Sequence, residues 1–570
     1  MLGGRRVSAF WLEFALSLVV ALPAFSLVGC TGDPNDPKTW AKKLDNPRER
    51  DEALNRIANM DTERAKAVLP ELMALYEQTR SPEHLQALVR YKDERTIPIF
   101  IDALDYTDES FDKAIVASSV LGEMKAESAV EKLIAAAEQP LPIKSRANSA
   151  KMEAMRALVK IGDRRAVPTL IKILSTSADE QDFLLNQRAA LGLAEFADPS
   201  SIPALVGGLF MTGRGTNIFQ ECRLALVRMG QASVDPIIEL FRGDNADVEE
   251  MGEKYDFDGV TPGVVQEKAA YLLGDLRAAK AVPILVSHLN GPAKGHEHSA
   301  IAIALGQIGT PQAVNALIAV ASDGKREPIV RASASDALYI SGDRRAIPTL
   351  MGLAKSGYIT TPGGEKASDL RANAAIDLAR LAGAEHYDAF KAMADAETEV
   401  QGVFGEALDR FQVAKECGQD LACYGKALGD PSWTRAEKAA FAIGFSDDPK
   451  GIPYLLENLK PLAALPQQRY PVHQAILFGL VRLGDKSCEP CIAKLTEQIE
   501  RDEKSVRIPG ARGLLAETRV ALATIQGTEP GARKAAMAAA PAAQAVGEAK
   551  AKGRGKANAK GKRARGKRRR

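Results

Sequence analysis

The chain has 570 residues, 46% of them hydrophobic and only 5% aromatic, with a formal net charge of +2. That length exceeds a single compact core, so several domains or an elongated array is required. The near-neutral total hides a division: residues 531–570 hold fourteen Lys/Arg against one acid, Glu548, giving +13, and the rest of the chain stands at −11. An acidic body of this kind argues against duplex DNA held in a basic groove.

In chain order, Arg5 and Arg6 precede an apolar stretch from Phe14 to Val28 that ends in Leu27-Val28-Gly29-Cys30. A short apolar run behind a positive segment, closing on small residues, predicts a secretory signal over 1–29. Its last four residues resemble a bacterial lipobox. The resemblance implies lipidation of Cys30, loss of everything before it, a lipid anchor in the membrane and a place in the bacterial cell envelope. Thr31, where inner-membrane retention would favour Asp, points to the outer membrane. The alternative is an uncleaved signal anchor with an incidental Cys. Pro and Gly after Cys30 predict an extended tether over 30–39.

Between residues 40 and 527 the dominant feature is a repeat. Gly162-Asp-Arg-Arg-Ala-Val-Pro-Thr-Leu170 returns as Gly342-Asp-Arg-Arg-Ala-Ile-Pro-Thr-Leu350. With Pro168 as register mark, equivalent positions fall at Pro70, Pro98, Glu131, Pro203, Pro236, Pro283, Asn315, Pro348, Pro453 and Pro490, and two degenerate copies fill the gap from 348 to 453. Each copy predicts a helix, a tight Gly-Asp turn and a second helix with Pro in its first turn, where the missing N–H costs nothing. The Gly caps the first helix in the left-handed conformation, and Ala and Leu recur at three and four residues as a packed helix face does. The pattern resembles HEAT repeats of the short variety first associated with phycobilin lyases. It implies an all-α, right-handed α-solenoid of roughly a dozen helix pairs, and by itself names no activity.

The connections between pairs vary far more than the turns within them, with long ones at 139–149, 175–187, 211–218, 243–264, 290–297, 355–370 and 460–471. In a solenoid these emerge along one edge, where binding residues tend to sit; neutral loop drift would look the same. The 243–264 connection is strongly acidic, and Asp256-Phe-Asp258-Gly259 offers two calcium-type carboxylates. The twelfth position from Asp256 is Glu267, which is expected inside the next helix, so a solvated acidic loop is the simpler reading. His296-Glu297-His298, with His288 nearby, is the only histidine cluster. HEAT-repeat di-iron hydroxylases place such His-Glu pairs on several repeats; here one stands alone, leaving His296 and His298 at most weak metal ligands on an exposed helix start.

Of six cysteines, Cys222 reads as a small core residue. Cys417 with Cys423, and Cys488 with Cys491, suit two local disulfides in an exported protein; redox, zinc and free-thiol roles remain open for them. No phosphate-binding glycine loop or serine triad is present, so no catalytic residue or cofactor is assigned. The segment 528–570 is expected to lack structure. Its terminal Lys562, Arg563, Arg565, Lys567, Arg568, Arg569 and Arg570 could bind a polyanion such as lipopolysaccharide, a wall polymer or nucleic acid. The favoured expectation is a non-enzymatic, lipid-anchored scaffold that holds an unknown protein partner on its concave face or loop edge. The alternatives are a polyanion binder acting through the tail and a metal- or redox-dependent enzyme.

Overall fold

Gly162 and Gly342 end their helices at φ +80° and +70°, a conformation that costs other residues about 1–2 kcal/mol. Asp163 and Asp343 follow, and each carboxylate accepts the backbone N–H two residues on. Asp198 and Asp448 do the same in copies that lack the Gly. A 3-10 turn then leads into a second helix with Pro168, Pro203, Pro283, Pro348 or Pro453 in its first turn. The duplicated segment is therefore a turn-forming device. Pro236 departs from this scheme and lies inside its helix, because Gln231–Arg242 starts directly after Gly230 with no intervening 3-10 turn.

The computed structural model describes residues 33–107, 110–243, 260–292, 297–356, 358–360 and 366–539. The chain divides into two units, the first ending at Ile99 and the second starting at Phe100. In the first unit, the helices Arg50–Ala58, Leu69–Thr79 and Pro82–Leu88 bury Ile57, Leu69, Leu72, Tyr76 and Leu85. Arg90 ties the helix ends together by donating to the Met60 carbonyl at 2.7 Å and to Thr62 Oγ1 at 2.6 Å. Helical structure begins inside the expected tether, at Pro37–Ala41. There Asp36 caps the helix, and the buried Trp40 donates its indole N–H to the Pro34 carbonyl at 2.8 Å.

The second unit is all-α apart from two small hairpins. Its first helices are α1 (Asp112–Glu123), α2 (Asn148–Ile161), α3 (Phe183–Phe196), α4 (Phe219–Arg228), α5 (Pro262–Asp275), α6 (Glu297–Ile308), α7 (Pro328–Ser341), α8 (Arg371–Leu381), α9 (Gln401–Cys417), α10 (Trp433–Phe445), α11 (Tyr470–Leu483) and α12 (Pro509–Gly527). Each packs on the next, and from α2 onward each also packs on the second helix of the preceding pair. The pairs of α8 and α9 are the two degenerate copies. Two contacts between first helices depart from the linear order: α8 also reaches α10, and, across the longest separation, α12 packs against α4. Because that closing contact is made by first helices, these form the inner layer, and the run from α4 to α12 closes on itself. Gly230 and Gly527 lie at the seam, where a Cβ on either would collide with a backbone carbonyl oxygen of the other segment.

The hairpins sit in the inter-pair connections. Strands β1 (Thr212–Gly213) and β2 (Thr216–Asn217) are joined by Arg214 and Gly215, both at positive φ, and β3 (Tyr358–Thr360) pairs with β4 (Lys366–Asp369). A further helix, α13 (Ala532–Ala539), lies inside the stretch expected to lack structure; its run of Ala favours helix intrinsically. Among the described residues no helix is long and apolar enough to cross a membrane.

Candidate functional site

Both edges of the array are laced by repeating polar contacts. On the turn edge, Arg165 reaches back to Glu131 at 2.8 Å, Arg164 reaches forward to Asp198 at 2.6 Å, and Arg345 reaches back to the Asn315 amide oxygen at 3.1 Å. Glu131 and Asn315 are the register positions without Pro, and each receives the arginine of the following copy. On the connection edge, Lys268, Arg326 and Arg469 donate to the carbonyls of Leu209, Leu289 and Leu428. Each carbonyl closes the second helix of an earlier pair, with one further copy between it and the first helix that carries or follows the donor. There a cation meets the negative end of the helix dipole.

Inside the closed layer runs a buried ionic network that no local sequence signal announced. Arg410, fully buried on α9, pairs with Glu437 of α10 at 2.6 Å, and Arg380 of α8 meets the same carboxylate at 2.7 Å. Lys438 donates to the carbonyls of Arg380 and Ala382 at 2.9 and 2.7 Å. Burial, followed by the charges of Arg344 and Arg410, pushes its pKa down to about 7. Asp377 accepts from Ser335, and burial with the neighbouring Asp336 raises its pKa well above the carboxylate range. The network joins α7 to α10 and lines no described cavity.

A cavity of about 460 Å³ lies between α4–α7 on one side and α11–α12 on the other. Its apolar wall includes Ile340, Leu477, Phe478, Val481 and Val520. At one end Arg223 pairs with Asp275 at 2.5 Å. From α4 to α12 the inner faces meet across this cavity, with α12 against α4, rather than lining an open concave groove. Sequence reasoning missed this, because contacts between copies so far apart leave no periodic trace.

The residues singled out by sequence are dispersed. Cys30, Asp256, Asp258, His296 and the basic residues Lys562 to Arg570 lie outside the described residues. Glu297 and His298 are buried rather than exposed, because α6 is sandwiched between α5 and α7; burial also holds the His298 ring below the ordinary histidine range. Glu267 lies within α5, as expected. His288 bonds through Nδ1 to the Ile284 carbonyl at 3.0 Å and stands edge-on to Phe241. Among the described residues no group of three or more His, Cys, Asp or Glu is arranged to hold a metal. Cys417 is bonded to Cys423 and Cys488 to Cys491, and Cys222 is buried as a thiol whose pKa burial pushes up.

The surface is informative at four positions. Among the described residues, the large hydrophobic side chains left exposed are Ile143 (37%), Leu184 (38%), Ile329 (58%) and Ile508 (51%). Ile143 and Ile508 are in inter-pair connections; Leu184 and Ile329 are in the first turns of α3 and α7. All four thus lie at the end of the pairs that carries the connections.

Paired helices with these turns define a HEAT-like repeat protein. The family descriptions that match are HEAT repeats, over residues 296–358, and the PBS lyase HEAT-like repeat, over 150–176. The chain is similar to deoxyhypusine hydroxylase of Drosophila melanogaster, 24% identical over 287 residues that span 48% of this chain and 83% of the relative. It is also similar to that of Neurospora crassa, 26% identical over 219 residues, 35% of this chain and 67% of the relative. Solved structures with a likeness include the CpcE–CpcF complex of phycocyanin lyase from Nostoc sp. PCC7120, at 21% identity, TM-score 0.20 and coverage of 55% of this chain and 94% of that one. Kap121p bound to Ste12p matches at 13% identity and TM-score 0.39, over 89% of this chain and 68% of that one.

Proposed function

We propose that the chain is a non-catalytic scaffold of a bacterial cell envelope, anchored by lipid at Cys30, that holds a protein partner along its connection edge. The observation that carries this reading is the placement of Ile143, Leu184, Ile329 and Ile508 at that end of the helix pairs. Exposed apolar side chains on a rigid edge suit a protein interface, and the cavities within the layer from α4 to α12, about 460 and 770 Å³, are too small to take in a protein. Serine at all four positions should abolish capture of the cross-linked partner from intact cells, and deletion of 531–570 should leave it intact. The opposite pair of results would favour the polyanion-binding tail instead. Membrane association that persists in Cys30→Ser would count against the lipid anchor.

A second reading follows from the hydroxylases among the similar proteins. His296-Glu297-His298 is the residue cluster on which it would rest. Stoichiometric iron in protein purified without chelators, lost in His298→Ala, would support an enzyme and displace the scaffold.

A further inference from the structure

At the turn edge of the closed layer, three guanidinium groups gather near one carboxylate, that of Asp447, and two of them pair with it. Arg277 follows α5 and Asp447 follows α10, and both hold the left-handed hinge conformation that Gly162 and Gly342 hold elsewhere, at φ +49° and +54°. Arg482, at the end of α11, is 8% exposed in its side chain. It donates through Nη1 to the Ser341 carbonyl at 3.0 Å and lies 5.0 Å over the Phe445 ring. Its Nε is buried without a hydrogen-bond partner; the nearest carboxylate oxygen, Asp447 Oδ1, is 3.4 Å away. Arg533 of α13 stands 3.6 Å from that same oxygen. Among the described residues the Arg277 guanidinium makes neither a hydrogen bond nor an ion pair, while its backbone N–H donates to the Gly274 carbonyl.

The other acids nearby are committed elsewhere. Asp343 pairs with Arg345, Asp275 with Arg223, and Glu529 with Lys486, while Asp485 caps Ser487. Burial, and then the charge of Arg533, pull Arg277 and Arg482 down to about 9, so all three remain cationic at neutral pH and repel one another. The three arginines line both the 460 Å³ cavity, with its apolar wall, and a second cavity of about 770 Å³.

We propose that Arg277, Arg482 and Arg533 bind the oxyanion head, phosphate or carboxylate, of a small molecule whose apolar body occupies the 460 Å³ cavity. Guanidinium forks match such oxygens in charge and geometry. An oxyanion would give the orphan Nε its acceptor and balance a cation excess that Asp447 alone does not. Its reach from α5 to α11 and α13 would also fasten the closed layer at its turn edge.

Calorimetric titration of the full chain with inorganic phosphate and with hexyl phosphate, at constant ionic strength in chloride, tests the proposal. Hexyl phosphate should bind one site at least threefold more tightly than inorganic phosphate. Arg277→Gln, which sacrifices no hydrogen bond, should weaken both at least tenfold while leaving the unliganded melting temperature unchanged or higher. Lys144→Gln, at an exposed lysine in the connection before α2, should leave the affinities as they were and serves as the control for non-specific charge. Equal affinity for the two phosphates, or an unchanged affinity in Arg277→Gln, would overturn it.

Discussion

Gly527 rests against Gly230 with no room for a Cβ on either, and this contact closes the inner layer. Gly527→Val would drive its side chain into the Val227 carbonyl. The expected outcome is a molecule with near-parental helical circular dichroism but a larger radius by small-angle scattering. An unchanged radius and melting temperature would show that the seam is not a real constraint.

The turn residues should divide by mechanism. Asp163→Ala removes a cap on a backbone N–H and should cost about 0.5–2 kcal/mol. Glu131→Ala removes an exposed ion pair with Arg165, which contributes about 0–1 kcal/mol. Urea denaturation of the two variants should rank Asp163→Ala as the more damaging; the reverse order would mean that the rungs, rather than the caps, hold the copies together.

Glu437 is 1% exposed in its side chain and is shared by Arg410 and Arg380. Glu437→Ala leaves the fully buried Arg410 guanidinium with only the half-exposed Glu406 carboxylate at 3.9 Å, and breaking one side of such a buried pair costs about 3–5 kcal/mol. The midpoint in denaturant should fall well below that of any turn variant. A small effect would mean that water reaches Arg410.

His473 of α11 is buried, lies 3.4 Å from Thr518 of α12, and has its pKa lowered to about 4 by burial. The folded state therefore keeps this ring neutral while the unfolded chain takes up a proton near 6.5. Its contribution to stability is complete above pH 6.5 and is lost as pH falls towards 4. Melting temperature measured across that range should decline less steeply in His473→Gln than in the parent; parallel slopes would place the acid sensitivity in other groups.

Much of this architecture was legible because it repeats. Pro168 and its equivalents gave the register, and Gly162-Asp163 gave the turn, since both are local solutions to local backbone demands. The β1–β2 hairpin was also legible in Gly213-Arg214-Gly215, where a two-residue loop needs positive φ, although its length alone marked it as a connection. The buried Arg410–Glu437 pair and the meeting of Arg277 with Arg482 were not legible. They join residues whose separation is set by closure of the whole layer, and a window of sequence carries no record of that. His298 was misjudged for a related reason: a helix start looks exposed until both flanking helices are in place.

Closure also changes what kind of object this array is. In an open solenoid each copy answers only to its neighbours, so copies can be gained or lost with little consequence. Here the stretch from α4 to α12 must span a fixed circuit for Gly527 to meet Gly230. An inserted or deleted pair within it would leave the ends unmatched.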